Sequence, residues 1–142
     1  DELITTGEVA TVKGTPMDFT SPKKIGRDVE KDYYALKMAG GYDHNYILND
    51  SAELKYALEL YSEKTGISMK CYTTQPGVQL SAGNNMDEAG IKDQKVPYPK
   101  NGGVALETQH YPDSPNHKEF PDTTLRAGEE YRQTTIYKFG LR

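Results

Sequence analysis

Residues 54–60 place Leu54, Tyr56, Leu58 and Leu60 on one parity and Lys55, Ala57 and Glu59 on the other, an alternation that predicts a half-buried β-strand. The same stretch also spaces Leu54, Leu58 and Tyr61 at helical intervals, and Leu, Ala, Glu and Lys are good helix formers, so propensity competes with alternation. The continuation favours the strand. Ser62-Glu63-Lys64-Thr65-Gly66 has the composition of a turn, after which Ile67, Met69 and Cys71 alternate with Ser68, Lys70 and Tyr72. Two alternating runs about a short turn predict a β-hairpin. The end of the chain repeats the pattern. Leu125 to Glu130 reads as a turn, and Tyr131 to Phe139 as a strand with Tyr131, Thr135, Tyr137 and Phe139 on one parity.

Glycine and proline interrupt the rest at short intervals, from Gly7, Gly14 and Pro16 through Pro97, Pro99, Gly102 and Gly103. Such punctuation leaves few stretches able to hold a long helix. Asp28 to Met38 is the best helical candidate, and it is short. The sequence contains no internal repeat, heptad, low-complexity tract or compositional linker. The prediction is a β-rich chain.

Composition narrows the function classes. At 142 residues the length suits one domain or part of one. The hydrophobic share of 35% is low for a globular chain, which predicts thin layers with wide polar surfaces. A formal charge of −4 with acids and bases interspersed provides no basic field for a polyphosphate, which argues against nucleic acid as a partner. No run approaches the roughly 20 apolar residues of a membrane span, and Asp1-Glu2 at the start is unlike a signal peptide. The lone Cys71 has no internal disulfide partner, which favours a reducing, cytoplasmic setting. Asn49-Asp50-Ser51 matches the glycosylation sequon, a pattern loose enough to arise by chance.

Three clusters could carry chemistry. Glu107 follows the apolar run Gly103-Val104-Ala105-Leu106, so its strand position predicts a half-buried carboxylate. It reads either as an edge-strand or lysine-paired residue, or as a general base whose pKa desolvation raises. Gly40-Gly41-Tyr42-Asp43-His44-Asn45-Tyr46 sets carboxylate and amide groups among aromatics, a surface suited to sugar hydroxyls and pyranose faces, or else an Asx turn entering the strand Tyr46-Ile47-Leu48. Thr73 to Gln79 reads as a strand passing into a Pro76-Gly77 turn, with Gln75 and Gln79 as ligand contacts or turn residues. A metal reading of His44, His110 and His117 is disfavoured, because no two of these histidines stand three or four residues apart and a lone cysteine offers no thiolate site. The glycine patterns that cradle phosphate and the nucleophile-elbow pattern are absent.

Taken together, the stretches GEVATVKGTPMDF (7–19), GYDHNYIL (41–48), YTTQPGVQLSAGN (72–84), LETQHYPDSPNH (106–117) and GEEYRQTTIYKF (128–139) resemble the C-terminal part of the aldose 1-epimerases, the galactose mutarotases. The resemblance spans almost the whole chain in order. It implies an all-β fold, the C-terminal portion of a galactose mutarotase-like antiparallel β-sandwich occupying residues 1–142. It also implies a cofactor-free enzyme interconverting the α and β anomers of aldohexoses. Carried over residue by residue, the family's general base falls on Glu107, a sugar-hydroxyl ligand on Asp43 and a sugar-contacting amide on Gln79.

The sequence departs from the family in one respect. The catalytic acid and a second sugar-binding histidine of the family lie in N-terminal motifs that this chain does not show, and His44, His110 and His117 match neither. A sandwich short of those strands would expose sheet edges and an apolar face, so either a complementing N-terminal half or self-association is expected. The alternative is a non-catalytic carbohydrate-binding or scaffold β-sandwich module that keeps Asp43 and Gln79.

Overall fold

The computed structural model describes residues 4–49, 53–86 and 98–142. The opening Asp1-Glu2-Leu3, the Asp50 and Ser51 of the sequon, and Pro97 lie outside the described residues. The regular elements are a 3-10 turn at Ile25–Arg27, helix α1 (Tyr34–Ala39), strands β1 (Asp43–Ile47), β2 (Lys55–Tyr61), β3 (Ile67–Thr73), β4 (Gly77–Ser81) and β5 (Ala105–Gln109), a 3-10 turn at Ser114–Asn116, and β6 (Thr135–Leu141). They form two three-stranded sheets, ordered β1-β4-β5 and β2-β3-β6. The expected β-rich, antiparallel chain is therefore what is found. No helix among the described residues is long and apolar enough to cross a membrane.

The predicted hairpin is β2 and β3, paired antiparallel from Lys55 opposite Thr73 to Tyr61 opposite Ser68. Its turn closes through Gly66, at φ 73°, a conformation that costs glycine little. Alternation fails at one point. Tyr56 faces Tyr72, but Leu58 faces Cys71, so Ala57 is an extra residue and β2 carries a bulge. The bulge moves Leu58 and Leu60 onto the Cys71–Met69 side and leaves Tyr56 on the other, where its ring meets Tyr72 edge to face at 5.6 Å. The single parity read from residues 54–60 is thus split between two faces.

Two other expectations shift their bounds. The helix expected over Asp28 to Met38 begins only at Tyr34 and stops at Gly40, which takes the left-handed C-cap conformation at φ 67°. Asp28 to Asp32 forms turns instead, with the Asp28 carboxylate occupied by neighbouring cations. The final strand begins at Thr135 rather than Tyr131 and runs on to Leu141, pairing Thr135 with Thr73 and Leu141 with Ile67.

The chain divides into two compact units. One comprises Asp1–His44 with Gln79–Leu106, the other Asn45–Val78 with Glu107–Arg142. In the first, Tyr42 and Leu36 are almost wholly buried, each side chain contributing about 2 kcal/mol through removal of apolar surface from water. The Tyr42 hydroxyl donates to the Pro16 carbonyl at 2.8 Å, and Phe19 packs edge-on to its ring. The Lys23 ammonium donates to the same Pro16 carbonyl, bonds Asp28 Oδ2 at 3.0 Å and sits 4.2 Å above the Phe19 ring. Asp28, with 4% of its side chain exposed, also meets Arg27 at 3.1 Å and Lys31 at 3.0 Å. A buried charge is tolerable only with such partners.

In the second unit Cys71 and Thr73 are wholly buried, and desolvation pushes the Cys71 thiol pKa up. Elsewhere in its sheet the apolar cover is incomplete. Ile67, Phe139 and Leu141 share the Met69 face through the β3–β6 register, yet Phe139 is 69% and Leu141 83% exposed.

Hydrogen bonds from Arg27, Lys31 and Lys23 hold the Asp28 carboxyl far below its ordinary pKa of 3.8. A carboxylate depressed by folding stabilises the native chain in full above its unfolded pKa and loses that contribution as pH falls towards its folded pKa. The Asp28→Asn variant is therefore expected to melt at lower temperature than the wild type at pH 7, with the gap narrowing from pH 4 to pH 2. Circular-dichroism melts that keep a constant gap across that range would contradict the assignment.

Candidate active site

Asp43 is placed by the turn that joins α1 to β1. Gly41 donates to the Leu36 carbonyl at 2.9 Å and adopts φ 143°, where a Cβ would collide with the Asn84 amide. Asn84 is buried and donates to the carbonyls of Ala39 (3.0 Å) and Tyr42 (3.1 Å), fixing where the strand starts. Tyr42 then turns inward, and Asp43, the next residue, faces outward as strand alternation requires. The Ala82 amide donates to the Tyr42 carbonyl at 2.9 Å, locking the start of β1 to the end of β4. Asp43 and His44 are therefore strand residues, and the Asx-turn reading of this stretch does not hold.

This pairing brings two expected site residues together. Gln79 Nε2 donates to Asp43 Oδ1 at 2.8 Å. The other end of the Gln79 amide, Oε1, is buried and has no hydrogen-bond partner among the described residues. A buried acceptor without a donor costs free energy. Beside the pair, the Asp43 amide donates to His44 Nδ1 at 3.1 Å. Burial pushes the His44 imidazole pKa below its ordinary 6.5, outweighing a hydrogen bond with the Ala35 backbone and the Asp43 charge, so the ring is neutral at pH 7.

Glu107 lies on β5 in the second unit. The half-buried position expected for it is corrected by the structure, which leaves the residue exposed. Along β5, Ala105 and Glu107 face solvent while Leu106 and Thr108 are partly covered, the ordinary consequence of period two. The loop after β5 is tightly organised. Asp113 takes a left-handed conformation at φ 61°, Ser114 Oγ donates to the Tyr111 carbonyl, and Tyr111 packs edge-on to Phe120 at 5.2 Å between centroids. His117 sits between Asp113 (3.2 Å) and Glu119 (3.3 Å). Among the described residues no group of three or more His, Cys, Asp or Glu side chains is placed to hold a metal.

Sequence reasoning overlooked why Gly77 is glycine. It is the first residue of β4 rather than part of a turn, and a Cβ there would lie 3.0 Å from both polar atoms of the Asn45 amide and from Tyr111 Cδ1. Close approach of side chains to the backbone explains the residue, a signal that a Pro-Gly dipeptide conceals. Gln75 is buried with its amide bonded to the Tyr131 hydroxyl, which is a structural contact.

A strand-dominated fold thus sets the Asp43 carboxylate and the Gln79 amide side by side. The family model described as aldose 1-epimerase matches residues 1–138, and the chain belongs to that family. It is 40% identical over 141 residues to the galactose mutarotases of Mus musculus and Homo sapiens, covering 99% of this chain and 40% of each of those proteins. With the aldose 1-epimerase of Escherichia coli K12 it shares 38% identity over 132 residues, 91% of this chain and 38% of that protein. A crystal structure of a GalM/aldose epimerase homologue from C. elegans superposes with a TM-score of 0.80 at 30% identity, covering 97% of this chain and 40% of that one. The chain thus spans about two fifths of the length of the relatives it matches.

In an NMR titration the His44 ring is expected to protonate below pH 6.5, because burial disfavours the imidazolium. Because folding depresses this pKa, protonation of His44 destabilises the folded chain progressively as pH drops below 6.5. A midpoint at or above 6.5 would contradict the burial of the ring.

Proposed function

We propose that this chain is the distal part of an aldose 1-epimerase that interconverts the α and β anomers of aldohexoses such as galactose or glucose. The observation that carries the reading is the Gln79–Asp43 hydrogen bond, which leaves a buried amide acceptor beside an exposed carboxylate within a chain of this family. Vicinal sugar hydroxyls donate and accept at once; the Asp43 carboxylate accepts, and the second N–H of Gln79 Nε2 donates.

In the reaction Glu107 takes the proton of the anomeric hydroxyl as a proton is delivered to the ring oxygen. The C1–O5 bond breaks to give the open-chain aldehyde, rotation about C1–C2 presents the other face, and reclosure returns both protons. No redox step or cofactor is required. The proton donor falls outside the residues that the family resemblance carries onto this chain, so a complementing N-terminal half supplies it. That half also covers the exposed apolar face around Ile67, Phe139 and Leu141. A cytoplasmic setting accords with the single thiol.

The second reading, a carbohydrate-binding module that retains Asp43 and Gln79 without turnover, is not the one the family match favours. Polarimetry on freshly dissolved α-D-galactose, with the N-terminal half of a mutarotase added, separates the two. On the enzyme reading Glu107→Gln lowers kcat about 100-fold or more, the usual contribution of a general base. Equal rates for wild type and variant, with saturable galactose binding by calorimetry, would establish the module instead.

Light scattering is expected to show association of the chain with itself, relieved when an N-terminal half of a mutarotase is added. A chain that stays monomeric at high concentration and ignores that half would refute the proposed complement.

A further inference from the structure

We infer that Thr135 is a positioning residue for Glu107, acting through a chain of hydroxyl groups behind strand β5; this rests on the reading of Glu107 as the general base. Thr108 Oγ1 lies 2.7 Å from Thr135 Oγ1, which lies 3.1 Å from Thr73 Oγ1. Thr135 also donates to Gln133 Oε1 at 3.2 Å. A hydroxyl has one hydrogen and two lone pairs. Its one hydrogen and two lone pairs are matched by these three contacts, and in the two with Thr108 and Thr73 either hydroxyl can donate. Thr73, wholly buried, accepts in turn from the Gln75 amide at 3.1 Å.

Thr135 is therefore the point at which β3, β5 and β6 are tied together, and all of these residues belong to the second unit. The start of β6 is itself fixed against the end of β3. Thr74 donates through its amide to the Thr134 carbonyl, and the Thr134 amide donates to Thr74 Oγ1, each at 3.0 Å. Thr108 directly follows Glu107, so the two side chains leave opposite faces of β5. A grip on Thr108 from behind fixes the backbone from which the Glu107 carboxylate projects in front. Glu107 is exposed and gains little orientation from burial, so this anchor supplies what a base needs for reproducible placement.

Valine matches threonine in shape but lacks the hydroxyl, so Thr135→Val strands Thr108, Thr73 and Gln133 without their common partner. Thr135→Ser keeps the hydroxyl. Amide hydrogen exchange on the full chain reads the anchor without requiring turnover. Thr135→Val is expected to raise exchange at Leu106 to Gln109 about tenfold relative to Glu59 to Tyr61 in β2, and Thr135→Ser to stay within about twofold of wild type. In mutarotation of α-D-galactose with the N-terminal half of a mutarotase added, Thr135→Val is expected to lower kcat about tenfold with KM unchanged, as a misplaced base would, with Thr135→Ser restoring it.

Unchanged β5 exchange in Thr135→Val, or equal effects of Val and Ser, would overturn the anchor. A Glu107→Gln variant as fast as the wild type would overturn the base assignment and the kinetic part of the inference with it. Exchange then still reports on the anchor alone, so the two failures are told apart.

Discussion

The buried carboxylate of Asp28 is the point from which the first unit is organised. Its charge is tolerable only because Lys23, Arg27 and Lys31 surround it, and Lys23 in turn binds the Pro16 carbonyl that also receives the Tyr42 hydroxyl. Tyr42 is the residue immediately before β1. The path from an ion cluster in a glycine- and proline-rich segment to the exposed Asp43 thus runs through a few hydrogen bonds and one buried aromatic ring. Beyond the 3-10 turn at Ile25–Arg27 the segment carries little regular structure, and polar groups aimed at a common centre order it.

Three carboxylates illustrate how placement separates structural from chemical roles. Asp28 is saturated by cations and has nothing to offer a ligand. Asp43 is exposed and shares one oxygen with an amide that retains a spare acceptor. Glu107 projects from a strand whose opposite side is held by hydroxyl groups. Residue type is almost constant across these cases. Burial and partner count decide what each acid can do, which is why the two proposed for sugar recognition and proton transfer stand in the open while the third does not.

Much of this was legible in the sequence. Alternation identified the β2–β3 hairpin and its turn, since a period of two survives wherever one face is more covered than the other. It failed at Ala57, because a bulge inserts a residue without leaving a compositional mark. The helix over Asp28 to Met38 was overestimated because propensity counts residues locally, whereas Asp28 answers to the cations of Lys23, Arg27 and Lys31. Asp43 and Gln79 were candidates from their local clusters and gained roles from the motif resemblance, and only the folded structure revealed their hydrogen bond. The burial of Glu107 was misjudged for a simpler reason: apolar neighbours in sequence do not fix which side of a strand is covered. The threonines passed unnoticed, since Thr73, Thr108 and Thr135 are common strand residues far apart in the chain.

Cys71 has a practical consequence. Its sulfur lies at the centre of the β2-β3-β6 sheet, wholly enclosed and with ionisation disfavoured by its surroundings. Thiolate is the reactive species, so alkylating reagents are excluded both sterically and electronically while the sheet is closed. As the sole cysteine, it is a built-in reporter whose labelling rate tracks the opening of that sheet.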